Sequence, residues 1–237
     1  MAVLISMQKV FLNGDFIDKD SAKISIFDRG FIFGDGIYEV VPVINGVMVE
    51  KQGFWDRFKR SLNEIDLSLP YSKDEFENIL NELIKINSLN EGGIYIQITR
   101  GIAQRDFSFV SGIMPTVMAF AFSDSVLEHP GAKSGITIIS TPDIRWKRRD
   151  IKSISLLGQC YAKNQATIAG ADECFMVEDG YVTEAGSSSA FIIKDGTLIT
   201  KPLSNEILPG IRRQRLLNLA KEIGLKIEER KFSMDEV

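Results

Sequence analysis

The chain has 237 residues, 44% of them hydrophobic, with 28 basic against 32 acidic side chains and a net charge of −4. That describes a globular protein able to bury one large core or two modest ones, and the charge balance supplies no overall field for nucleic acid or anionic lipid. No apolar run reaches the length of a membrane span and "MAVLISMQKVFLNGD" is broken by polar residues too early for a signal peptide, so no membrane partner and a cytoplasmic location are expected.

The elements predicted in chain order mix strands and helices without repeats. "KVFLNGDFID" and "VVPVINGVMVE" each centre an Asn-Gly on strand residues, the strongest short hairpin signal. "GFWDRFKRSLNEIDL" aligns Phe54, Phe58, Leu62 and Ile65 on one helical face. "SKDEFENILNELIKIN" aligns Phe76, Ile79, Leu80 and Leu83 behind Ser72 as N-cap. "GIYIQITRG" alternates as a strand and "TVMAFAF" is a buried one. "SDSVLEHPGAKSG" reads as a linker. The expected organisation is an N-terminal α/β domain over 1–122, a linker over 123–134 and a C-terminal domain over 135–237. In the latter, the strand "ITIIST" precedes a helix around "GQCYAKNQATIAG", two hairpins turned by "EDG" and "KDG", and a last helix, "GIRRQRLLNLAKEIG", behind Pro209.

Scarcity narrows the chemistry. The single histidine, His129, stands in a predicted loop before Pro130, which leaves little for a serine triad or a metal site, and no metal is expected. Cys160 and Cys174 lack metal or redox spacing and read as buried or partly buried thiols. "YVTEAGSSSAF" is odd for a strand, because Gly and Ser pack poorly there. Its small residues after Glu184 read either as a place where an anion comes close or as a surface Ser-rich loop. The first N–H groups of the last helix, at Gly210, Ile211 and Arg212, could add an anion site. Lys152, in "DIKSISLL", enters an apolar stretch; it reads as a desolvated nucleophile or as a lysine snorkelling from a strand edge.

From about Val10 onward an ordered series, "FDRGFIFGDGIYEV", "RF" at Arg57, "YIQITRG", "DIRWKRRDIKSISLL", "VTEAGSSSAF" and "ILPGIRR", resembles the fold type IV pyridoxal-phosphate enzymes, or class IV aminotransferases. Within them it is most similar to the D-amino-acid transaminases. The resemblance implies a mixed α/β, two-domain fold type IV architecture, a homodimer, and pyridoxal 5'-phosphate as cofactor. It implies that Lys152 carries the cofactor as a Schiff base and that Glu184 holds a proton on the pyridine nitrogen. Arg57, Ser187, Ser188, Ile211 and Arg212 would cradle the phosphate and Leu208 would pack on the ring. Tyr38 would face the substrate, and Arg105 would bind its carboxylate across the dimer interface.

The implied reaction moves the amino group of a D-amino acid to a 2-keto acid with ping-pong kinetics. The motifs are shared with branched-chain L-amino-acid aminotransferases and 4-amino-4-deoxychorismate lyase, which stay open as alternatives. A cofactor-free binding relic of the same fold is the alternative from another class. The chain departs from the pattern at Phe107, where the D-amino-acid transaminases carry a histidine, and at Arg212, where a threonine is frequent. "ERKFSMDEV" closes where the family continues into a further phosphate contact, so an incomplete C-terminal domain or a weakened cofactor site is expected.

Overall fold

The structure, a computed structural model, describes residues 9–128 and 131–237. The chain divides into two compact units, one of Met1–His129 with Lys152–Ile154 and one of Pro130–Ile151 with Ser155–Val237. The expected partition at 123–134 contained no such return of residues 152–154 to the first unit. His129 lies outside the described residues.

The first unit runs β1 (Lys9–Leu12), β2 (Asp15–Asp18), α1 (Arg29–Phe33), β3 (Gly36–Ile44), β4 (Val47–Met48), α2 (Lys51–Asn63), α3 (Lys73–Ile86), β5 (Glu91–Thr99) and β6 (Thr116–Ser123). Its strands form one antiparallel sheet in the order β2-β1-β6-β5-β3-β4. The Asn-Gly pairs turn both hairpins at positive φ, 50° and 110° at Asn13 and Gly14, 51° and 72° at Asn45 and Gly46, the backbone that two-residue hairpin turns demand. The Ser72 hydroxyl accepts from Glu75 N while the Glu75 carboxylate accepts from Ser72 N, a capping box that starts α3.

β3 shows how the sheet sorts its side chains. Ile37, Glu39, Val41 and Val43 are fully buried, on the face where Arg57 of α2 reaches Glu39. α2 and α3 pack there through Phe54, Trp55, Phe58 and Phe76, with Phe58 and Phe76 stacked at 6.2 Å. Ile65, expected on that helical face, lies beyond the end of α2, and Ile84 rather than Ile79 joins the fully buried set of α3. Tyr38 points to the opposite face, in a stack with Tyr95 at 5.5 Å that continues to Phe120 at 4.9 Å.

The first unit closes with chain from much further on. Tyr38 N donates to Lys152 O at 2.9 Å and Ile154 N to Gly36 O at 3.2 Å, so residues 152–154 line the edge of β3 opposite β5. Gly36 is compelled by this crowding, since a Cβ there would lie 2.4 Å from Ile98 O and 3.1 Å from Ile154 Cδ1.

The second unit runs α4 (Gly131–Ser134), β7 (Ile138–Pro142), α5 (Leu157–Ile168), β8 (Glu173–Glu178), β9 (Tyr181–Ala185), β10 (Phe191–Lys194), β11 (Thr197–Thr200), α6 (Ile211–Glu222) and β12 (Lys226–Glu229). It holds two three-stranded sheets, β7-β8-β9 and β10-β11-β12. The two expected hairpins are β8–β9 and β10–β11; the parallel partner β12 was not expected. α5 packs Ala162 and Ala166 on Cys174 and Met176, and a second cluster gathers Phe175, Val182, Ala190, Ile199 and Phe232. Cys174 is buried, Cys160 is exposed, and both thiols are free. Among the described residues no helix is long and apolar enough to cross a membrane, and no group of three His, Cys, Asp or Glu side chains could hold a metal ion.

Candidate active site

In the first unit Lys152 meets Tyr38, while Arg57 and Arg105 have other partners. The Lys152 backbone N–H donates to Ser61 Oγ at 3.2 Å and its carbonyl accepts from Tyr38 N. Fixed in this way at both ends of its peptide, the half-buried residue carries its amine over the Tyr38 ring, 4.2 Å from the centroid. That distance is within cation–π range. The stacked neighbour Tyr95 has its phenol pushed up to about 12 by burial and by Tyr38.

Arg57 stands one helical turn before Ser61 on α2, the spacing that puts two side chains on one face. Its Nε and Nη2 donate to the two oxygens of Glu39 at 2.8 and 2.7 Å, a bidentate pair with a fully buried carboxylate. Sequence reasoning placed Arg57 and missed both Glu39 and Ser61, although they are the neighbours of Tyr38 in sequence and of Arg57 on the helix.

Arg105 is exposed on the segment between β5 and β6. Its guanidinium lies 5.1 Å from the Phe107 centroid and 5.7 Å from that of Phe33, so the departure noted at Phe107 puts an aromatic ring beside the arginine.

In the second unit Glu184 on β9 is buried. Its Oε2 accepts from Arg145 Nη1 at 2.6 Å and its Oε1 from Leu208 N at 3.0 Å. Burial pushes the Glu184 carboxyl up, against the opposing pull of Arg145 and of the Leu208 N–H. Asp143 holds Arg145 from the other side through Nε at 3.0 Å and Nη2 at 2.7 Å. Burial also raises the Asp143 carboxyl, but the bond and charge of Arg145 outweigh it and leave the group below its ordinary range. Arg145 and Asp143 were not singled out from the sequence.

The Ser-rich stretch and the last helix do meet. A Cβ at Gly210 would lie 2.8 Å from Ser189 Oγ, so the serine loop lies against the start of α6. No side chain caps that helix, whose N-cap is Gly210 itself, and the first N–H groups at Ile211 and Arg212 have no intrahelical acceptor. Leu208 enters the same turn through its bond to Glu184. Ser187 and Ser188 are exposed; Ser187 Oγ reaches Glu173 Oε2 at 3.3 Å and the Ser188 carbonyl accepts from Ala185 N. A Cβ at Gly186 would meet the side chains of Lys163 and Glu173, Cδ at 2.7 Å and Oε1 at 2.8 Å.

Residues 36–237 match the family described as amino-transferase class IV. The chain is 41% identical over 230 residues to a D-alanine aminotransferase of Staphylococcus haemolyticus, covering 97% of this chain and 81% of that one. In fold it is similar to the branched-chain amino acid aminotransferase of Escherichia coli, with a TM-score of 0.89 at 22% identity over 96% of this chain and 79% of that one. It is also similar to the branched-chain aminotransferase of Thermoproteus uzoniensis with norvaline, with a TM-score of 0.80 at 25% identity over 97% of this chain and 80% of that one.

Proposed function

Because this chain belongs to the class IV aminotransferase family, we propose that it is a pyridoxal-phosphate-dependent transaminase that moves the amino group of a D-amino acid, such as D-alanine, to a 2-keto acid. The observation that carries the reading is the seat of Lys152, an amine presented on an aromatic floor by a backbone hydrogen-bonded at both ends. The preference for D-alanine is supported by the relative at 41% identity.

The residues present fit the cofactor. The uncapped start of α6 beside Ser189 is a cradle that a single Cβ at Gly210 would fill, and such N–H groups suit a phosphate. Glu184, a buried carboxylate with further lone pairs, suits a ring N–H. Bound pyridoxal phosphate supplies an aldehyde for an amine and a ring that draws electron density from the substrate Cα.

The side chains then divide the work. Lys152 Nζ would hold the cofactor and, as the amine nearest the substrate Cα, would serve as the general base and acid that moves its proton. Glu184 keeps the ring nitrogen protonated, and Arg145 with Leu208 N–H fixes the direction of its oxygens. In the second unit Ser187, Ser188, Ile211 and Arg212 would hold the phosphate; in the first, Arg57, whose fork Glu39 orients, is a further phosphate-binding candidate. Leu208 packs on the ring. Arg105 grips the substrate carboxylate with planar donors, and Tyr38 faces the substrate.

The working unit is a homodimer. Phe27, Phe31, Ile102, Phe107 and Met114 are exposed apolar side chains on segments joined by the bond from Ala103 N to Phe27 O, and a surface of that kind calls for a covering partner. Arg105 projects from the same loop. The free thiols of Cys160 and Cys174 suit the reducing cytoplasm.

Half-reactions on D- and L-alanine, D-glutamate and L-leucine, read as keto acid formed, test the assignment. D-alanine is expected to react fastest. Faster turnover of L-leucine moves the chain to the branched-chain group, and pyruvate release from aminodeoxychorismate without amine transfer moves it to the lyases.

A further inference from the structure

We propose that Arg29 and Arg100, both clamped on Asp35, are positioning residues for Arg105; the inference rests on the reading of Arg105 as the group that binds the substrate carboxylate. Both guanidiniums are nearly inaccessible, and the Nε atoms of both donate to the same oxygen, Asp35 Oδ2, at 2.7 and 2.8 Å. Two buried cations on one carboxylate leave positive charge that must find further partners, because a buried cation without them is costly.

The turn after α2 supplies two of those partners, and the segment that carries Arg105 supplies a carbonyl and a ring face. Arg29 Nη1 donates to Asp106 O at 2.6 Å. Arg100 lies 3.8 Å from the centroid of the Phe109 ring and sends its Nη1 and Nη2 to Asp66 O and Ile65 O at 3.0 and 2.6 Å. The segment is therefore held immediately after Arg105 by a carbonyl and again at Phe109 by a ring face. A second link is Phe33, whose ring lies 4.8 Å from the Arg29 guanidinium and 5.7 Å from that of Arg105.

The strands beneath allow little play. Arg29 N donates to Gly101 O at 2.8 Å and Arg100 N to Asp35 O at 3.1 Å. A Cβ at Gly30 would lie 2.2 Å from Thr99 Cγ2, and one at Gly101 would lie 2.0 Å from Met114 O. This seat aims an otherwise exposed arginine, and a guanidinium displaced from the carboxylate it grips binds that substrate more weakly.

The test compares the holoenzyme with Phe109→Ala, Phe109→Tyr, Arg29→Lys and Arg105→Met, using D-alanine and D-alaninamide, which lacks the carboxylate. Phe109→Ala is expected to raise KM for D-alanine roughly fivefold, the scale of one lost cation–π contact, with kcat, cofactor retention and the D-alaninamide reaction unchanged. Arg29→Lys, which loses the donor to Asp106 O, is expected to do the same, and Phe109→Tyr to restore the parent KM. Phe109 is exposed, so its replacement reports on the loop even where the buried lysine variant fails to fold. If Phe109→Ala moves both substrates equally, or neither, while Arg105→Met raises KM for D-alanine alone, the positioning role is overturned and Arg105 keeps its own. If Arg105→Met leaves KM for D-alanine unchanged, the carboxylate-binding reading falls and the positioning role falls with it.

Discussion

Arg145 donates to Glu184 at 2.6 Å while two of its other nitrogens are held by Asp143. A guanidinium shared by two carboxylates neutralises neither completely. Glu184 is therefore held in direction by a partner whose charge is also claimed elsewhere, and it retains negative potential for a cation placed against it.

Glu184→Gln is expected to keep the cofactor bound and to slow the half-reaction with D-alanine by about two orders of magnitude or more, the scale of removing one preorganised electrostatic partner. A single-turnover rate equal to that of the parent would remove Glu184 from the chemistry.

Reduction of the holoenzyme with borohydride followed by peptide mapping is expected to place the cofactor on Lys152. Label on Lys147 or Lys163 instead would sink the assignment. Lys147 pairs with Glu178 and Lys163 with Glu173, whereas the Lys152 amine lies over the Tyr38 ring.

Glu178 sets a pH dependence. Hydrogen bonds from Arg149 and Lys147 lower its carboxyl from 4.5 to about 2. A group whose folded value is depressed takes up its proton more readily in the unfolded chain, so its contribution is present above the unfolded value and is lost as pH falls through the folded one. Melting temperatures measured from pH about 6 down to about 2 should show Glu178→Gln below the parent at the upper end, with the gap closing toward the lower. A gap that stays constant would show that Glu178 does not titrate with these partners.

Gly210→Ala is expected to weaken retention of the cofactor with little change in melting. The backbone there, at φ −66°, suits alanine, but the added methyl would enter the space beside the Ser189 hydroxyl, 2.8 Å away. Equilibrium dialysis of the two proteins decides it, and equal affinities would exclude the start of α6 from phosphate binding.

Local features were the legible ones. The Asn-Gly hairpins and the Ser72 capping box announce themselves because particular residue types satisfy particular backbone needs within four positions. The placement of Lys152 beside Tyr38 could be expected from motif order but not from periodicity, since the bond between them joins residues more than a hundred apart in sequence. Arg145 and Asp143 left no signal of their own in "PDIRWKRRD", where several charges compete and what distinguishes them is the bond of Arg145 to Glu184, 39 residues on, and to Asp143. The pairing of β12 with β11 went unread because a four-residue strand with one apolar residue among three charged ones resembles a solvated turn.

The return of residues 152–154 to the edge of β3 has a consequence for biosynthesis. A nascent chain that has emerged only as far as β6 possesses all six strands of the first sheet, yet Gly36 to Tyr38 still present an open edge opposite β5. Open edges invite pairing with other chains. The edge is covered only when translation has passed Ile154, well into the second unit. Pausing between those points would lengthen the interval in which aggregation competes with folding. The seating of the lysine and the protection of the sheet are thus one late event.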